Sequence, residues 1–203
     1  MILEERLRDT LTELIGIGFG KAAEVLNTML DSHIALSAPA VRVVPADELI
    51  RILAISEGSE LSAVHMRYAG GMKGTVELIF SSGEAGRLVD CIIGEEQVIE
   101  EGLDAIRAGT LCEVGNIVIN ALMGTLANVL SLRLEYTVPT YIEGDAARLV
   151  SVAGLDVEHV VLLAETEFAV EAMSIRGTIA VFFTMETYSR MKEAVQSYAE
   201  AGS

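Results

Sequence analysis

Cysteine, histidine and basic residues are scarce in this chain, and each scarcity removes a class of function. Cysteine occurs only as Cys91 and Cys112, without a CxxC spacing or a histidine cluster nearby. Neither a disulfide framework nor a zinc site is indicated, and both thiols are expected to be reduced and partly buried. His33, His65 and His159 are scattered and read as ordinary surface or core residues. Lys and Arg number 14 against 30 acidic residues, a formal net charge of −16. Nucleic acid and anionic lipid both require clustered Lys and Arg to neutralise phosphates, so neither is an expected partner. A partner with a basic feature fits this charge, and so does plain solubility. Long apolar runs are missing as well: none approaches the ~20 residues of a bilayer span, and residues 1–9 carry charges where a signal peptide needs an apolar segment. No membrane insertion and a cytoplasmic location are the expectations.

What the chain does have is enough apolar residues for a core, 51% of 203, and an internal repeat. A shift of about 100 residues lays Leu11, Glu13, Ile17, Leu26, Leu30 and Pro39 on Leu111, Glu113, Ile117, Leu126, Leu130 and Pro139. At a slightly larger offset GTVELIF at 74–80 falls on GTIAVFF at 177–183. The expected organisation is one domain over residues 1–203, built from two repeats of roughly 1–100 and 101–203. Each repeat reads as a long amphipathic helix, an extended segment after the proline, a short helix and a hairpin. The hairpin strands are expected at 63–68 and 73–80, turning at Gly70-Gly71, and at 159–168 and 174–183. With extended segments at 41–44 and 137–142, this predicts an α+β fold with pseudo-twofold symmetry. Its sheet has about six mainly antiparallel strands and packs against long helices. Residues 83–110 read as an acidic, partly helical link, and 186–200 as a closing helix.

On a helical wheel at ~100° per residue, residues 111–129 place Leu111, Val114, Val118, Leu122, Thr125 and Val129 on one apolar stripe. Glu113, Asn116 and Asn120 project together from the opposite face, with Gly124 and Ala127 continuing the row. The same wheel applied to the first half sets Glu13, Gly16, Gly20, Glu24 and Asn27 opposite Leu11, Leu14, Ala22, Val25 and Met29. A bland reading exists for the carboxylates: Thr110-Leu-Cys-Glu113 and Thr10-Leu-Thr-Glu13 both fit the Thr-x-x-Glu capping box. Asn116 is a poor helix-interior residue, by roughly half a kcal/mol against alanine, and a solvated polar face or a functional role would explain it. Asn120 reads as a possible lining of the same site. Gly16, Gly18 and Gly20 do not form GxGxxG and follow a helical segment, so close helix packing is a better reading than a phosphate cradle. Met72 and Met123 read as core or interface fillers.

Glu113-Val-Gly-Asn-Ile117, with Pro139 at the 23rd position after Asn116, resembles the signature of the CheC, CheX and FliY phosphatases of chemotaxis, and the chain's length is most like CheC. That signature is an Asp or Ser, Glu four residues later, Asn three beyond, and a distant Pro. Asp9, Glu13 and Pro39 repeat it in the first half, where Gly16 stands in place of the asparagine, while Gly109 stands in place of the acidic or hydroxyl residue before Glu113. The resemblance implies a phosphatase that hydrolyses the aspartyl phosphate of a CheY-like response regulator. Asn116 would hold the attacking water without titrating, and Glu113 would pair with the regulator's active-site lysine. Glu13 and Gly16 would form a degenerate, silent first site. The resemblance also implies no cofactor of the protein's own, with the divalent metal supplied by the bound regulator, and CheD as a possible further partner. The alternative is a non-catalytic module that binds phosphorylated regulator, or a component of the flagellar switch.

Overall fold

The computed structural model describes residues 5–30, 33–38, 40–56, 60–93, 103–154, 159–170 and 173–201. Pro39 and part of the expected 83–110 link lie outside the described residues. The first half contains α1 (Glu5–Leu30), β1 (Ile34–Ser37), β2 (Val41–Pro45), α2 (Ala46–Ser56), β3 (Leu61–Gly70), β4 (Gly74–Ser81) and α3 (Ser82–Ile93). The second contains α4 (Leu103–Val129), β5 (Leu134–Tyr136), β6 (Thr140–Gly144), α5 (Ala146–Ala153), β7 (His159–Val170), β8 (Met173–Thr184) and α6 (Met185–Ala201). The same order of elements is read twice.

The strands form one 8-stranded sheet in the order β1-β7-β8-β4-β3-β5, with β2 also on β7 and β6 also on β3. Every pairing is antiparallel. Two strands more than the expected six are present because β1 and β5, of four and three residues, are too short to show a period-2 pattern. Each lies in line with a longer neighbour along the same partner strand. Pro139 falls in the break between β5 and β6, where its missing N–H leaves no ladder hydrogen bond unmade. The two halves exchange these edges: β1 and β2 of the first pair with β7 of the second, while β5 and β6 pair with β3. At the centre, β4 meets β8 with Val76 opposite Val181 and Leu78 opposite Ile179. The offset that carries Gly74 onto Gly177 carries Val76 onto Ile179 and Leu78 onto Val181, so the two pairs are interchanged by the pseudo-twofold. Glu77 and Ala180, opposite each other, sit on it.

Alternation along the strands gives the sheet two buried faces. One carries Val64, Met66, Val76, Leu78, Phe80, Ile179, Val181 and Phe183 against the long helices. The other carries Ala63, Ile79, Leu163, Ala180 and Phe182 under α2 and α5. The β3–β4 turn rests on Gly70, whose φ is +120° and where a Cβ would stand 2.4 Å from Arg133 O. Hydrophobic spacing on α1 buries Leu7, Leu11, Leu14, Ile15, Phe19, Ala22 and Leu26. Val25 and Met29, expected on that stripe, are 50% and 48% exposed. The wheel places them correctly, but the cover over α1 ends before its last turns on that side. Met72 and Met123 are buried, as expected.

Of the three glycines in α1, only Gly18 mediates close packing. A Cβ there would lie 2.9 Å from Leu122 Cα on α4, whereas one at Gly16 or Gly20 would meet nothing within 4 Å. Gly18→Ala is therefore expected to destabilise the protein by about 1–3 kcal/mol through overpacking against a backbone. Gly16→Ala and Gly20→Ala should be neutral or stabilising by up to about 1 kcal/mol, because glycine is the poorer helix former. Urea unfolding of the three variants measures this contrast.

Glu77 is fully buried and bonds His65 at 2.9 Å, while its Oε2 has no partner among the described residues. Burial raises the Glu77 carboxyl above the usual carboxylate range, and the hydrogen bond and charge of His65 offset this only in part. The folded chain thus binds this proton more tightly than the unfolded one. Its contribution to stability is complete below the unfolded pKa of about 4.3 and is lost as pH rises through the folded value. The stability of Glu77→Gln, measured against the parent in urea from about pH 4 upward, is expected to fall less as pH rises.

Candidate active site

Glu113, Asn116 and Asn120 lie well inside α4, which begins at Leu103 rather than near Leu111. This start overturns the capping-box reading: Thr110 and Glu113 are interior helical residues, with no orphan N-terminal N–H groups to satisfy. Thr10 and Glu13 are likewise inside α1, where Thr10 Oγ1 donates to Arg6 O. Glu113 is exposed, and its carboxylate makes no hydrogen bond or ion pair among the described residues. Asn116 and Asn120 are half-buried, and Asn120 Nδ2 lies 2.7 Å from Asn116 Oδ1 and 2.8 Å from Asn116 O. Asn120 therefore does more than line the site, since it holds Asn116 directly.

The buried arc of α4 is wider than the wheel suggested. Leu111, Val114, Val118, Leu122 and Thr125 are buried as expected, but so are Ile119, Met123, Leu126 and Ala127. Ala127, expected on the open row, is 5% exposed. The cause is tertiary, because α4 touches α1, α3 and α6 as well as β3, β4 and β6. Gly115, between Glu113 and Asn116, permits the contact with the sheet: a Cβ there would stand 2.5 Å from Val64 Cγ1. In the first half Glu13, Gly16 and Gly20 are exposed on α1, so the candidate second face opens from the same helical layer.

Pro139 comes back to α4 beside the site, its carbonyl 4.0 Å from Cys112 Sγ. Burial and the neighbouring Glu113 carboxylate raise the Cys112 thiol above its ordinary range, against a smaller lowering by the Tyr141 backbone. A protonated thiol is a poor nucleophile, so a phosphocysteine route has no support here. The cleft of about 540 Å³ lined by Arg67, Lys73, Tyr136, His159 and Phe182 lies at the α5 side of the sheet and includes none of the three α4 residues. The α4 site is an open helical face, suited to a protein surface rather than an enclosed small molecule.

Comparison with known proteins gives this face a context. No protein-family profile matches the sequence. Residues of the chain align with the CheY-P phosphatase CheC of Bacillus subtilis at 26% identity over 139 residues, 68% of this chain and 66% of CheC. They align with the flagellar motor switch phosphatase FliY of the same organism at 23% over 138 residues, 68% of this chain but 35% of FliY. The solved structure of Thermotoga maritima FliY superposes with a TM-score of 0.74 at 19% identity, covering 97% of this chain and 99% of that one. In sequence the chain is similar to CheC and FliY, and in fold to FliY. The same fold recurs in CheX within the CheX-CheY-BeF3-Mg complex of Borrelia burgdorferi, with a TM-score of 0.52 at 18% identity over 85% of this chain and 99% of that one. It recurs again in the FliM middle domain of H. pylori, at 0.64 and 14% over 95% and 99%.

The free state of Glu113 generates a simple expectation. With no cap to lose and no partner to abandon, Glu113→Ala should change stability by less than about 0.5 kcal/mol. A capping residue would lose about 1 kcal/mol. Thermal and urea unfolding of the purified variant distinguish the two.

Proposed function

We propose that this protein is a cytoplasmic phosphatase that hydrolyses the aspartyl phosphate of a CheY-like response regulator. The observation that carries the reading is a carboxylate and a carboxamide, Glu113 and Asn116, open on one face of a helix whose other side is locked into the core. Neither polar group is needed to hold the fold. The names of CheC and FliY as phosphatases, the former of CheY-P, support the reaction class.

Hydrolysis of an acyl phosphate needs a water in line with the scissile phosphorus–oxygen bond, and depends on positioning and charge neutralisation more than on a strong base. Asn116 supplies positioning without titrating, because its carboxamide carries both donors and an acceptor. Glu113 pairs with the regulator's lysine and orients the two proteins. The metal ion arrives with the regulator as part of the phosphorylated substrate. Among the described residues no group of three His, Cys, Asp or Glu side chains could hold one. Ile17 and Val138, which are 39% and 82% exposed, are apolar surface that a protein partner can cover. Glu13 and Gly16 are the degenerate counterpart: Glu13 retains the pairing group, and Gly16 has no side chain to hold water.

The likeness to FliM keeps a binding-only role in view, since one fold serves several functions. The presence of Asn116 favours the enzyme, and phosphate release separates the two. Asn116→Ala should fold like the parent and release phosphate from phosphorylated regulator about 10²-fold more slowly. Glu113→Ala should instead raise the regulator concentration needed for half-maximal rate. Release by Asn116→Ala at the parent rate would show that this residue does not position the water.

A further inference from the structure

Asn116 has a polar neighbour whose geometry settles which end of its carboxamide faces which way. Asn116 O is a backbone carbonyl and can only accept, so the Asn120 atom 2.8 Å from it must be the amide nitrogen. That same nitrogen lies 2.7 Å from the terminal atom of Asn116, which must therefore be the oxygen Oδ1. The Asn120 amide nitrogen thus donates to Asn116 at both its backbone carbonyl and its side-chain oxygen. One lone pair of Asn116 Oδ1 is engaged, one remains open, and the NH₂ group is turned away from Asn120.

We infer that Asn120 is a positioning residue that fixes the orientation of the Asn116 carboxamide for hydrolysis; this inference rests on the proposed phosphatase reading. An unrestrained asparagine on an open helix face presents its oxygen or its amide to the same point after a half-turn of χ2, which is a broad torsion with two comparable wells. In-line attack needs one of these. The open lone pair of Oδ1 accepts a hydrogen from the water, leaving the water's own lone pair aimed at phosphorus, and the NH₂ group is free to donate to a phosphoryl oxygen. In the flipped state Oδ1 would face the phosphoryl oxygens and repel them.

Two further observations agree. Asparagine is unfavourable in a helix interior, and α4 carries two of them one turn apart, where either alone would weaken the helix by roughly half a kcal/mol. At the repeat offset Asn116 falls on Gly16 and Asn120 on Gly20, so the first half lacks both members of the pair together. Glu13, by contrast, is retained. A site that lost its water-holding group has no use for the residue that orients it.

The test is a double-mutant cycle on the full chain, with phosphate release followed from a phosphorylated CheY-like regulator and the side-chain amide signals observed by NMR on nitrogen-labelled protein. Asn120→Ala is expected to lower kcat about 10-fold with KM for the regulator unchanged, and to have no further effect in the Asn116→Ala background. Asn120→Asp, which keeps the shape but cannot donate, should lose as much as alanine. In the parent the Asn120 amide protons should exchange with water more slowly than those of the exposed Asn128, whether or not the protein is catalytically active. An unchanged kcat in Asn120→Ala, an equal loss in both backgrounds, or fast exchange of the Asn120 amide would overturn the inference while leaving the role of Asn116 intact. A parent that releases no phosphate but shows a protected Asn120 amide would instead overturn the phosphatase reading, and the positioning role with it, while leaving the hydrogen bond in place.

Discussion

Where α1 crosses α4, the absence of one side chain allows two backbones to meet: a Cβ at Gly18 would stand 2.9 Å from Leu122 Cα. The helical layer depends on that approach. With α1 and α4 drawn together, Leu11, Leu14, Phe19 and Ala22 share one core with Val118, Ile119, Leu122 and Leu126. Burial of each large side chain contributes about 1.5–3 kcal/mol. The contact also restricts which helix surfaces remain available to solvent. Glu113 and Asn116 are open because the other side of α4 is held against α1 and the sheet.

The sheet supplies rigidity to this layer through an exchange of edges. Each half contributes short strands to the other half's hairpin, so neither half completes its sheet alone. Pro139 marks the break in one edge and brings its carbonyl beside Cys112, next to Glu113. A proline far from the helix in sequence is thus a neighbour of the site in space. Its place in the spacing Glu-x-x-Asn-x₂₂-Pro follows from the length of helix and edge strand that must separate the two.

Much of the fold was legible in the sequence. The first hairpin announced itself by the Gly70-Gly71 turn and the second by the match of GTIAVFF to GTVELIF, while the short helices α2 and α5 followed from the repeat. The strands β1 and β5 were not legible, because three or four residues form strands only when a longer partner offers its edge. The early start of α4 was hidden in an acidic stretch without a strong apolar period. That earlier start is what removed the capping explanation for Glu113.

For the site, residue type and spacing sufficed to put Glu113, Asn116 and Asn120 on one helix face, since a helix repeats every 3.6 residues whatever surrounds it. Three chemically identical glycines in α1, however, could be told apart only in the folded chain. Gly18 meets a backbone, while Gly16 and Gly20 face open space. Ala127 turned inward and Val25 outward for a similar reason: the wheel gives direction, but what lies in that direction belongs to other elements. Asn120 was visible as a neighbour and not as a restraint. The sequence determined which groups share the face, because local periodicity is a property of the backbone; only the tertiary structure decided which of them are free, buried or held, because that depends on contacts between residues far apart in the chain.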